Sequence, residues 1–169
     1  EEIPSVQASL ESWLGMYLNS KIMQPDSLFS EEYDDMDSYD LGKGRGPLTG
    51  TDSVSWNDKA WVAGVTIGAY DKAYDWNRLK QEYVINDKVG NQPIFVALSG
   101  DGKTLTAFER PDTTYIFEIE NDTLYAHNGA WNLMGESARP GIGPLKKVQV
   151  YQEFWHSWST FHPNTTRWY

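Results

Sequence analysis

From Ala60 onward the chain is cut into short apolar segments by turn-forming residues, and this punctuation constrains the fold more than any other feature. "AWVAGVTIG" is a β-branched apolar run. "EYVIND", "QPIFVALS" and "KTLTAFER" follow, separated by "DKVGN" and "GDG". Segments of this length between Gly, Asn and Asp read as strands, because those residues supply the backbone conformations of tight turns. "TTYIFEIE" alternates apolar and polar side chains, and "NDTLYAHNG" reads as its hairpin partner across Asn121–Asp122. "AWNLMG" and "LKKVQVY" add short strands on either side of the loop "ESARPGIGP", which brings the expectation to about seven strands.

Helices frame these strands. Val6, Leu10, Trp13, Leu14, Tyr17 and Leu18 recur at spacings of three and four, which predicts an amphipathic helix from Ser5 to Leu18. "DKAYDWNRLKQE" reads as one short internal helix. Tyr151, Phe154, Trp155, Trp158 and Phe161 share a second helical spacing, and rings this large are normally core contacts. The expected fold is therefore α+β: a mainly antiparallel β sheet with a helix at each end and one short internal helix. Residues 1–20 form the first helix, 21–53 an acidic extended connector, and 54–169 the α+β domain.

Composition narrows the function. A chain of 169 residues suits one domain with a real core, and 40% hydrophobic content with eight Trp makes it globular. No apolar run approaches the roughly 18 residues of a membrane span. No signal peptide begins the chain, so any targeting segment would lie outside it. Cysteine is absent, which excludes disulfides, thiolate catalysis and Cys-ligated metal. The net charge of −10 argues against nucleic-acid phosphates and anionic membrane surfaces as partners. Residues 1–40 hold ten of the 24 acids and a single base, Lys21, so an acidic arm precedes a nearly neutral body.

Several residues invite a chemical reading. "DDMDSYD" offers oxygen ligands at alternate positions, but it lacks the central Gly and closing Glu of a calcium loop and reads as a solvated acidic segment. His156 and His162 are six residues apart, which is neither a zinc-finger spacing nor the four-residue spacing that puts two ligands on one helix face. Pro163 ends the helix, so His162 is expected at its C-terminus in a capping or core hydrogen-bonding role. Arg110 in "FERP" and Asp75 in "YDWN" flank apolar segments. A buried Arg–carboxylate pair that fixes the fold is the reading there, with a substrate clamp as the alternative. Ser99 in "LSGDG" lacks the elbow of a nucleophilic serine, and neither "GKGRG" nor "GIG" is a phosphate loop. Nothing in the sequence sets the separation of Glu109 and Glu136 as a glycosidase pair. Trp56, Trp131 and Trp168 lie at loop or strand margins and are candidates for stacking on sugar rings.

The terminal segments also match each other. Aligning Trp13 with Trp158 sets "SWLGMYLNS" against "SWSTFHPNT" without a gap, with Tyr17 opposite His162 and Ser20 opposite Thr165. A helix that closes a domain is then used twice, and neither histidine is needed to build it.

"WVAGVTIGAYDKAYDWNRLKQEYVINDKVGNQPIFVAL", "TAFERP", "DTLY", "AWNLMGES", "GPL" and "WHSWSTFHPNT" together extend over roughly residues 54 to 166. This ordered set resembles the bacterial domain of unknown function family number 3179, in its Bacteroidetes-type form. The resemblance implies that residues 9–40 are the linker following an earlier copy, and that residues 5–20 are the last helix of that copy. It also implies a Cys-Pro-x-Cys-like motif after "PIFVAL". Here Ser99-Gly100-Asp101-Gly102 stands in its place, and a Ser-Gly-Asp-Gly turn can bind no soft metal and exchange no thiol.

The expectation is an uncharacterised, non-catalytic structural or interaction domain of a bacterial cell-envelope protein, extracytoplasmic in location. Its partner would be an upstream domain of the same polypeptide or another envelope protein, and no cofactor or metal is assigned. The competing reading is a small-molecule or carbohydrate-binding domain, or an enzyme, whose cleft would be built from His156, His162, Arg110, Asp75 and Trp158.

Overall fold

The run at residues 61–67 leaves no apolar side for water: Val62, Ala63 and Val65 are fully buried although they point alternately to opposite faces. A strand covered on both faces must lie between two layers. The computed structural model describes residues 5–33, 50–137 and 139–169, and it shows those layers. The first half of the chain forms α1 (Leu10–Met16), a 3-10 segment (Ser27–Tyr33), β1 (Trp61–Ile67), β2 (Tyr70–Asp75) and α2 (Trp76–Glu82). Then come β3 (Val84–Val89), β4 (Gln92–Leu98), β5 (Leu105–Glu109), β6 (Glu118–Glu120), β7 (Thr123–Ala126) and β8 (Gly129–Asn132). The chain closes with β9 (Lys147–Val148), β10 (Val150–Phe154), α3 (Trp155–Phe161) and β11 (Thr166–Trp168).

The strands build three sheets, in the orders β10-β1-β2-β11, β3-β4-β5-β9 and β6-β7-β8. All pairs are antiparallel except β11 beside β2. This is the expected α+β class with mainly antiparallel pairing. Strict alternation along β4 shows how the layers stack. Ile94, Val96 and Leu98 face the first sheet across a core shared with Ala63, Val65, Tyr74 and Leu79. Phe95 and Ala97 face the opposite way, into a second core with Phe117, Leu124 and Trp131. A third, smaller core lies on the outer face of β1 and β2, where Val62 and Ala73 meet Trp155 and Trp158 of α3.

Three expectations about elements are corrected. The N-terminal helix is α1 alone, because the Ser9 side chain accepts a hydrogen bond from Ser12 N and caps the helix at that point. Gln7 instead forms a bridge to Leu105 of β5, and Leu10 and Leu18 remain largely exposed. "DKAYD" is β2 rather than the start of a helix. Asp75 is the N-cap that ends the strand and begins α2. The C-terminal helix begins at Trp155, not near Tyr151. Tyr151 and Phe154 belong to β10, and Phe161 faces solvent at 77% exposure. Spacings of three and four do not separate a strand that turns into a helix from a continuous helix.

The hairpin across Asn121–Asp122 forms as expected, both residues holding positive φ of 49° and 57°, the pair of values a tight I′-type turn requires. The acidic segment 34–40 with its calcium reading and the "GKGRG" turn lie outside the described residues. No helix among the described residues is long and apolar enough to cross a membrane.

The two Trp helices are one device used twice. Trp13 Nε1 donates to Ser20 Oγ at 2.8 Å, and Trp158 Nε1 donates to Thr165 Oγ1 at 2.9 Å. Tyr17 and His162, aligned in the sequence, are the C-cap residues, and their amides bond Trp13 O and Trp158 O, both at 2.8 Å. Their rings lie against the same two indoles, with centroids at 4.7 and 3.8 Å. The N-caps differ, Ser9 capping α1 with its side chain and Phe154 making no such bond, and so does the docking. Trp13, Met16 and Tyr17 pack on the second core, whereas α3 covers the outer face of the first sheet.

Candidate functional site

α3 lies on the first sheet because β1 carries a glycine where the helix presents its indole. A Cβ at Gly64 would stand 2.3 Å from Trp158 Cε3, so the ring occupies the space that any side chain would need. Trp158 is 1% exposed. His162 stacks on its outer face with planes 18° apart, and His162 Nδ1 lies 2.9 Å from Asp71 Oδ1. The Thr66 hydroxyl donates to the same Asp71 oxygen at 2.6 Å. His156 sits six residues earlier, in the first turn of α3, its Nδ1 2.8 Å from the Asp58 carbonyl oxygen. The two histidines thus serve different partners, one a carboxylate and one a backbone carbonyl.

Arg110 and Asp75 are each buried, with 5% exposure, and each is engaged elsewhere. Arg110 Nη1 donates to Tyr115 O at 3.0 Å and Thr113 O at 3.4 Å, and Nη2 to Asp87 O at 2.9 Å. It ties the loop after β5 to β3. Burial pulls its guanidinium below the ordinary value, an effect the Asp87 charge opposes. Asp75 caps α2, accepting from Asn77 N at 3.2 Å and from the Ser55 hydroxyl at 2.8 Å. Of the carboxylates in the field of Arg110, Asp87 acts most strongly, ahead of Asp112, and it also pairs with Lys72 at 2.5 Å. Glu109 pairs with Lys146 at 2.7 Å, while Glu136 accepts from Tyr17 and Asn132.

The Ser99–Gly102 turn is closed on itself. Ser99 is fully buried, its Oγ accepts from Thr104 N at 2.9 Å, and its hydroxyl donates to Asp101. Burial pushes the Asp101 carboxyl up, but hydrogen bonds from the Ser99 side chain and the Lys103 amide outweigh it and leave the group below the usual carboxylate range.

The three sugar-stacking candidates part company. Trp131 is a core residue at 7% exposure, its Nε1 donating to Gly143 O at 3.0 Å. Trp168 is half-buried against Tyr74, with the Arg78 guanidinium 5.8 Å from its ring. Trp56 is half-buried at the edge of the third core, with φ of 68°. Its ring meets Trp155 edge-on at 5.2 Å and Tyr169 at 5.7 Å. The Arg167 guanidinium lies 4.3 Å from the Trp155 ring and 5.1 Å from the Trp56 ring. Arg167, Tyr169 and Trp155 were not legible as a group. A three-residue parallel strand carries too few positions for a pattern, and only its register beside β2 shows which face Arg167 takes.

No cluster of His, Asp and Glu among the described residues could hold a metal ion. The family model described as "Protein of unknown function (DUF3179)" matches residues 1–165. No curated protein and no solved structure matches the chain significantly. With all but the last four residues matched, the chain belongs to the DUF3179 family.

Proposed function

We propose that the chain is a non-catalytic structural or interaction domain of a bacterial cell-envelope protein, of the Bacteroidetes type and extracytoplasmic. One observation carries this reading. The polar side chains that would build a catalytic cleft, His162, His156, Arg110 and Asp75, each hold a separate part of the fold in place. The Ser99–Gly102 turn, at the place where the resemblance implies paired cysteines, spends its hydroxyl on its own loop. Residues 21–53 act as the acidic connector. The partner is an upstream domain of the same polypeptide or another envelope protein, and residues 5–20, with α1 at their centre, stand as the end of a preceding copy. The α1 helix supports this arrangement, because it shows that a Trp helix of this type can seat on the second core as well as on the first sheet.

Thermal unfolding of three variants tests the reading. His156→Gln and His162→Gln keep a hydrogen-bonding group and should each cost under about 1 kcal/mol. Trp158→Ala removes a fully buried ring and should cost about 3–5 kcal/mol. The reverse order, with Trp158→Ala tolerated and the histidine variants strongly altered, would mean a site rather than a scaffold.

A further inference from the structure

β11 runs parallel to β2 with Arg167 opposite Ala73 and Trp168 opposite Tyr74. Side chains alternate across a sheet, so Trp168 joins Tyr74 on the inner core and Arg167 joins Ala73 on the outer face, beside α3. There it lies over Trp155 and Trp56 and makes no hydrogen bond or ion pair among the described residues. Nearly all other bases with a described charged contact are spent on a carboxylate or a carbonyl: Lys72 on Asp87, Arg78 on Glu82, Lys146 on Glu109, Arg110 on the loop carbonyls. Arg167 is exposed, restrained by two indoles, and keeps its full fork of N–H donors.

The second observation is backbone geometry. Trp56 holds φ of 68°, a region that bulky side chains rarely adopt. Its loop is pinned on both sides of the ring. Asp52 accepts from Val54 N and Asn57 Nδ2, and Asn57 O accepts from Ala60 N. The strained residue brings its indole against Trp155, Arg167 and Tyr169 together. Tyr169 leaves 77% of its surface open beside it.

We infer that Arg167, framed by Trp56, Trp155 and Tyr169, binds the carboxylate of a uronic acid unit in an acidic polysaccharide. The inference rests on the reading of the chain as an interaction domain and names a ligand for it; the excess negative charge lies in residues 1–40, and the nearly neutral body that carries Arg167 does not repel an anion. A guanidinium fork matches a planar carboxylate in bidentate geometry. A uronate fixes that carboxylate on a ring whose C–H face can lie on an open aromatic such as Tyr169. An acidic peptide carries its carboxylate on a flexible stem with no such face, which costs more ordering for the same ion pair.

Titration of the isotope-labelled full chain with trigalacturonate tests this, following the Arg167 Nε–Hε and the Trp56 and Trp155 indole resonances. Saturable shifts of these signals are expected, with a Kd of about 1 mM or tighter. Neutral trigalactose should leave them unmoved. Arg167→Gln, at an exposed position that should not disturb folding, should weaken binding at least about tenfold, and Arg167→Lys should weaken it as well, because an ammonium lacks the fork. Unmoved resonances at about ten times that concentration would overturn the proposal, as would undiminished binding by Arg167→Gln. Tighter binding of triaspartate or inorganic phosphate than of trigalacturonate would also overturn it. Each of these failures with a folded protein leaves the structural reading intact, since that reading stands or falls on the stability of the Trp158 and histidine variants.

Discussion

Substituting Gly64 by Ala tests the seating of α3 most directly. The new Cβ would lie 2.3 Å from Trp158 Cε3 and Cζ3 and 2.6 Å from Cδ2, where ordinary contact begins near 3.4 Å. The ring must therefore withdraw by about 1 Å. It is 1% exposed, tied through Nε1 to Thr165 and covered by His162, so it has no free direction. Overpacking of this kind costs about 1–3 kcal/mol, and the loss of glycine's conformational freedom returns about 0.5–1 kcal/mol. A 2.3 Å approach to a ring with no free direction falls at the upper end of that cost, so the net loss is about 2 kcal/mol, which for a chain of this size lowers Tm by about 4–8 °C in calorimetry or circular dichroism. Trp158→Phe makes room, so the double variant should be more stable than the sum of the two single losses by about 1 kcal/mol. An unchanged Tm in Gly64→Ala, or strict additivity in the cycle, would show that α3 does not rest on this glycine.

Two further outcomes follow from the geometry. The Tyr74 phenol is pushed up by burial and by the neighbouring Asp87 carboxylate, so the folded state keeps a proton that the unfolded chain releases near pH 10. This contribution is fully present below pH 10 and is lost as pH rises beyond it. Urea unfolding at pH 8 and pH 11 should show an alkaline loss about 1.4 kcal/mol larger in the wild type than in Tyr74→Phe; equal losses would refute the assignment. Ser20→Ala and Thr165→Val each remove the acceptor of one indole N–H and should each cost about 1 kcal/mol and shift the matching Nε1–H resonance. A silent result in either would break the equivalence of the two helices.

Part of the site was legible because it depends on local chemistry. Pro163 placed His162 at the helix end, and the alignment of Trp13 with Trp158 anticipated a shared device before any hydrogen bond was visible. The pairing of Arg110 was not legible. Its partners are carbonyls at positions 87, 113 and 115, and residue types say nothing about where a backbone oxygen will lie. Glu109 likewise found Lys146, 37 residues away in the chain, rather than Glu136.

By itself the sequence determined the class. Turn residues, alternation and the buried run of β1 dictate short antiparallel strands between layers, and those signals act over a few residues. Tertiary structure decided the rest. It split "LKKVQVY" into two strands in different sheets, turned "DKAYD" into an inner strand of the first sheet, and set a three-residue strand beside it as that sheet's edge. Elements that short gain their stability from neighbours distant in the chain, not from their own residues. For the same reason Arg167 acquired its place between two indoles only when β11 took its register against β2.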